Sequence, residues 1–201
     1  MPDSRPRCGW ATGSPEMIAY HDQEWGTPQH DDRALFELLS LEGAQAGLSW
    51  RTVLARREQY RRAFHGFDIG RVAAMTERQL ESVLGDPGVI RNRLKIWSVR
   101  ANAQAAERAI AAHGSLDAWL WSFVERRPIV NHWSEVALVP ARTALSDRMS
   151  KDLRKAGFRF VGSTICYAFM QATGMVDDHL ASCFRAHPML GARPGKSSAG
   201  S

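Results

Sequence analysis

Apolar positions along this chain recur mostly at every third or fourth residue rather than every second. That period belongs to helices with one buried face. It predicts amphipathic helices over 32–46 ("DRALFELLSLEGAQA"), 49–64 ("SWRTVLARREQYRRAF"), 76–84, 92–112, 115–125 and 146–156. Asp32, Ser49, Thr76, Ser115 and Ser146 stand where a side-chain oxygen can cap the exposed N–H groups of a helix start. The stretch "GSTICYAFMQATG" (162–174) is apolar nearly all round, which predicts a buried helix ending at Gly174. No convincing series of alternating β-branched residues occurs, so the expected class is all-α. No repeat and no long Gly/Ser or Pro linker interrupts residues 8 to 184. Residues 1–185 are therefore expected to form a single helical unit, in one lobe or two, with 186–201 a disordered tail.

Composition changes this picture little. Of 201 residues, 44% are hydrophobic and 23% charged, enough to bury a sizeable core. "MPDSRPRCGW" lacks the apolar run of a signal peptide, and the longest uncharged run, Phe160 to Val176, is short and broken by Gly, Ser, Thr and Gln. A cytoplasmic protein without membrane contact is the expectation. The net charge of +5 tilts toward a polyanionic partner but discriminates weakly. Three cysteines, an odd number without an export signal, argue against a disulfide framework. Seven tryptophans serve either core packing or the walls of a pocket for a flat ring.

Candidate chemistry concentrates at the two ends. In "DDHLASCF" (177–184), His179 and Cys183 are four positions apart. On a helix that is one turn, about 6 Å along the axis, so both could face one ion. At the other end Cys8 and His21 could fold back on the same ion, completing a closed two-His, two-Cys zinc site. A chance H-x3-C spacing remains open on this evidence alone. Cys166, among Ile165, Tyr167, Phe169 and Met170, is a poor rival ligand, and His187 could replace one of the four. Four protein ligands leave no open position for water, so such a zinc ion would be structural, fastening the chain ends.

The blocks "RCGW" (7–10), "AYHDQEWG" (19–26), "LEGAQAGLSW" (41–50), "GFRFVGSTICYAFMQATG" (157–174) and "DDHLASC" (177–183) resemble the bacterial 3-methyladenine DNA glycosylase I family. The likeness runs in order over nearly all of residues 7 to 183. It implies a helix-hairpin-helix glycosylase fold with a structural zinc joining the N- and C-terminal segments through Cys8, His21, His179 and Cys183. It implies a base-binding and catalytic carboxylate at Glu42 and aromatic pocket residues at Tyr20 and Trp50, with Trp10 and Trp25 nearby. Read from the sequence alone, Glu42 is as readily a capping or solvent-facing glutamate. Where the family often has a tyrosine and a serine, this chain has Met17 and Ala168, which bears on contact detail rather than on the class of reaction.

The implied activity is removal of 3-methyladenine from alkylated double-stranded DNA by a monofunctional hydrolase acting as a monomer, leaving an abasic site. Methylation at N3 makes the attached base cationic and a good leaving group, so the site must extract, stack and hydrogen-bond the base rather than supply strong acid. Asp117 is kept as a minor catalytic candidate. Residues 81–101 read as helix, Gly/Pro hairpin, helix. There Gly85 and Gly88 allow close approach of the backbone, and Arg91, Arg93 and Lys95 add charge for DNA phosphates. Gln45 and Leu48 could fill the gap left by an extruded nucleotide. The rival readings are an αα-turn with a solvated basic face, a non-enzymatic zinc-containing lesion-binding module and a zinc hydrolase.

Overall fold

Ten α-helices, three short 3₁₀ turns and one short parallel strand pair are the regular elements of the described residues, 4–187, of the computed structural model. In chain order the helices and strands are α1 (Pro15–Gln23), α2 (Asp32–Gln45), α3 (Trp50–Leu54), α4 (Arg57–Ala63), α5 (Ile69–Ala73), α6 (Glu77–Gly85), α7 (Arg93–His113), α8 (Leu116–Ser122), β1 (Ile129–Val130), α9 (Ala144–Ala156), α10 (Ser163–Ala172) and β2 (Val176–Asp177). The expected tail falls outside the described residues from 188 onward. Among the described residues no helix is long and apolar enough to cross a membrane.

Helix α2 is the axis of the core, buried continuously from Leu35 to Ala44 and packed against α3, α7, α8 and α10. Phe36, Phe64, Phe67, Trp121 and Phe169 are fully buried around it. Each such side chain contributes about 1.5–3 kcal/mol by leaving water. Glu37 of α2 accepts from Arg57 Nε at 2.5 Å and Arg61 Nε at 3.0 Å, which draws α4 onto the same axis.

Several local expectations are corrected. Asp31, not Asp32, caps α2 by accepting from Ala34 N–H. Asp32 instead accepts from Leu116 and Asp117 N–H, capping α8 across the fold. The helix expected over 49–64 breaks into α3 and α4. Arg56 N–H bonds Val53 O, while the Arg56 guanidinium takes the Thr52 carbonyl that a continuous helix would give to that N–H. Helix α9 starts earlier than expected, because Thr143 is its cap and Ser146 is the reciprocal partner in a capping box. Helix α10 stops at Ala172, and the chain reverses at Gly174 (φ 68), where a Cβ would sit 2.5 Å from the Thr27–Pro28 backbone. The strand pair β1–β2, unforeseen, aligns Ile129 with Val176 and Val130 with Asp177.

Candidate active site and metal centre

A cavity of about 620 Å³ opens where α1, the end of α2, α3 and α10 meet. Its walls include Trp10, Met17, Tyr20, Trp25, Glu42 and Trp50. Glu42 lies in the last turns of α2, an apolar helix that carries it inward, and is 3% exposed. The solvent-facing reading of this residue is thereby ruled out. Burial pushes its carboxyl up to about 8. Its Oε2, the Tyr20 hydroxyl and the Trp50 Nε1 are all buried without a hydrogen-bond partner among the described residues. Buried polar atoms are rarely left so, and three converging on one cavity from three helices form a ready set of ligand contacts. The Tyr20 and Trp50 rings lie 5.2 Å apart, and Trp10 meets Trp25 edge-on at 4.9 Å. Met17 and Ala168 both line the cavity.

Beside it lies a second buried cluster. One ligand atom from each of Cys8, His21, His179 and Cys183 lies within 4.8 Å of the others, and all four residues are buried. Cys8 Sγ is 3.7 Å from His179 Nδ1, and Cys183 Sγ is 3.4 Å from His21 Nε2. His179 and Cys183 are not on a helix as expected. They sit on a turn after β2, with Cys183 N–H donating to Leu180 O. The donor set fits a cation. Leu180 N–H donates to Cys8 Sγ, Arg185 N–H donates to Cys183 Sγ, and the second nitrogen of His21 bonds Asp22, itself clamped by Arg7. Burial pushes the Cys8 thiol up to about 12, so thiolates there need a positive ion. His187 pairs with Asp177 instead, and Cys166 bonds Val161 O away from the cluster. Trp25 packs edge-on against His179 at 4.6 Å and also walls the cavity, so cluster and cavity share a partition.

The sequence profile of the methyladenine glycosylases matches residues 10–186. The chain belongs to the methyladenine glycosylase family. It is 49% identical over 177 residues to DNA-3-methyladenine glycosylase 1 of Escherichia coli (strain K12), covering 88% of this chain and 95% of that protein. A crystal structure of 3-methyladenine DNA glycosylase I matches with a TM-score of 0.87 at 48% identity, covering 90% of this chain and 100% of that one. The Staphylococcus aureus 3-methyladenine DNA glycosylase I, solved to establish 3-methyladenine recognition, matches with a TM-score of 0.88 at 33% identity, covering 92% of this chain and 99% of that one.

In this methyladenine glycosylase the residues expected to face DNA divide. Gln45 lines the cavity, and Leu48, on the turn between α2 and α3, is 42% exposed. Arg91 is exposed, and exposed Arg93 pairs with Glu81 while its guanidinium lies 4.1 Å over Trp97. Gly88 packs so tightly on Gln59 that a Cβ would collide, and its N–H is taken by Asp86. Gly85 has open space around it. Lys95 is a correction. It is 8% exposed, and its Nζ donates to Ala44 O at 2.8 Å and Ala46 O at 2.6 Å. The ammonium serves the carbonyl end of α2, where cations are favoured, and is not presented to phosphate. Asp117 does not line the cavity; it pairs with His30 and Arg126.

One wall residue had almost no signal in the sequence. Asp178 accepts from Asn131 and Trp133 on Oδ1 and from Tyr167 and Gln171 on Oδ2, all at 2.7–2.8 Å. Donors fill all four of its lone-pair positions. Its partners come from distant segments, and only "DD" before His179 hinted at it.

Proposed function

We propose that this protein excises 3-methyladenine from alkylated double-stranded DNA by hydrolysis, as a soluble monomer working in the cytoplasm. The observation that carries the reading is Glu42, a buried carboxyl with an unpartnered oxygen in an aromatic-walled cavity. Raised to about 8, it is mostly neutral at pH 7 while the cavity is empty. A cationic base placed beside it favours the carboxylate, so binding expels a proton and creates an ion pair where little water competes. Unmodified adenine offers no such gain.

Tyr20 and Trp50 present ring faces to the extruded base, adding a cation–π attraction of about 0.5–2 kcal/mol. The N-glycosidic bond then breaks with its electron pair leaving on the base, which departs as neutral 3-methyladenine. Water adds to the sugar carbon and loses a proton, leaving an abasic site. The family membership favours this enzyme over a binding module, and the four-donor cluster favours a structural ion over a zinc hydrolase. Cys8, His21, His179 and Cys183 would hold a zinc ion, which would supply a structural cross-link between the chain ends. The α6–α7 segment, with exposed Arg91 and Arg93, serves as the helix-hairpin-helix grip on the DNA backbone.

Incubation with N-methylated duplex DNA, followed by chromatography of the freed bases, tests the reading. The expected result is 3-methyladenine with intact but abasic strands. Tight binding without any freed base would leave only the lesion-binding module.

A further inference from the structure

The segment 129–139, between α8 and α9, carries Val136 and Leu138 in one 3₁₀ turn (Val136–Leu138), 53% and 55% exposed. Exposed apolar side chains grouped together are the kind of surface that marks an interaction site. The segment is pinned in place. Ile129 N–H donates to Met175 O, Asn131 N–H to Asp177 O and Ala181 N–H to Trp133 O. Asp178 adds the Asn131 and Trp133 side-chain bonds, both at 2.7–2.8 Å. Val136 and Val139 line the same cavity as Glu42, so the exposed turn is the cavity's own lip. A second stretch of rim, Gln45 and Ser49 to Arg51, carries Leu48, which is 42% exposed.

We propose that the Val136–Leu138 lip is a second apolar contact with lesion-bearing duplex DNA, seated against sugars and base edges beside the extruded nucleotide. The inference rests on the reading of the cavity as the base site. Whatever delivers a base into the cavity passes its mouth, which makes the lip continuous with that interface. The chemistry of the segment selects the part of DNA it meets. Residues 129–139 contain no Lys or Arg and include Glu135, which suits apolar contact in a groove and disfavours a grip on phosphates. Leu48 and Leu138 then act as two separate apolar contacts, one on each of two stretches of the rim.

The test compares Leu138→Ser, Leu138→Met and the unaltered protein on two probes. One is a duplex containing a tetrahydrofuran abasic analogue, titrated by anisotropy over a range of salt; the other is free 3-methyladenine, titrated by tryptophan fluorescence. Leu138→Ser should bind the duplex about fivefold more weakly, because it loses apolar burial. The slope of log K against log salt should not change, since no phosphate contact is lost. Affinity for the free base should stay the same, and Leu138→Met should restore duplex binding. Unchanged duplex affinity in Leu138→Ser would overturn the proposal, as would a parallel loss of free-base binding, which would place the effect inside the cavity. Failure of the unaltered protein to release base would count against the glycosylase reading and leave the duplex comparison to decide the lip.

Discussion

The four-residue Cys/His cluster and the Glu42 cavity adjoin at Trp25, yet most of their heteroatoms are provided for in opposite ways. In the cluster each sulfur accepts a backbone N–H, and His21 is oriented by Asp22. In the cavity Glu42 Oε2, Tyr20 OH and Trp50 Nε1 have no hydrogen-bond partner among the described residues. A cluster whose sulfurs and His21 are already oriented, with only His179 Nε2 unpartnered among the described residues, marks a region that holds the fold together. Polar groups left unsatisfied at a folding cost mark a region kept ready for something else.

Removing the ion proposed for Cys8, His21, His179 and Cys183 should give the largest effect. Chelation, or Cys183→Ser, should lower the melting temperature by about 10 °C or more, because the ion's binding energy is folding energy. Base release should fall only as far as the Trp10–Trp25 wall loosens. An unchanged melt would erase the contrast between the two regions.

The opposite sign is expected at Glu42. Its folded value, about 8, stands above the ordinary 4.5, so the folded protein holds this proton more tightly than the unfolded chain. The carboxyl's contribution to stability is intact below about pH 4.5 and is progressively lost as pH rises toward 8. Glu42→Gln should therefore raise the melting temperature, by an amount that grows across that window and then levels off. A gain independent of pH would contradict the burial of an unpaired carboxyl.

Smaller still is the effect expected at Lys95. Lys95→Met should strip donors from the Ala44 and Ala46 carbonyls at the end of α2 and lower the melting temperature by a few degrees. Its DNA salt dependence should match that of the unaltered protein, whereas Arg91→Ala should reduce the slope by about one. A reduced slope in Lys95→Met would return that ammonium to the DNA face.

How far the sequence could be read follows the same divide. Helical period and cap residues located most of the helices, and spacing at the chain ends brought forward Cys8, His21, His179 and Cys183, whose ligand atoms the fold gathers within 4.8 Å. What escaped depended on partners far along the chain. Lys95 looks like one more hairpin cation until α2, 51 residues away, supplies its acceptor at Ala44. Asp178 gains its meaning from Asn131 and Trp133, 47 and 45 residues distant. The break after α3 turns on where one arginine side chain points. His179 and Cys183 meet through a turn rather than a helix, because either geometry brings positions four apart together. Glu42 was ambiguous in sequence, since an acid at a helix end is ordinary until the cavity behind it is seen.

The central claim is that the buried Glu42 carboxylate recognises a cationic, methylated base. The most direct measurement is single-turnover release of 3-methyladenine from methylated duplex by Glu42→Gln beside the unaltered protein, with both shown to be folded and to bind the duplex. Release should slow by about a hundredfold or more, the scale of losing one preorganised charge contact. Equal rates would contradict the account.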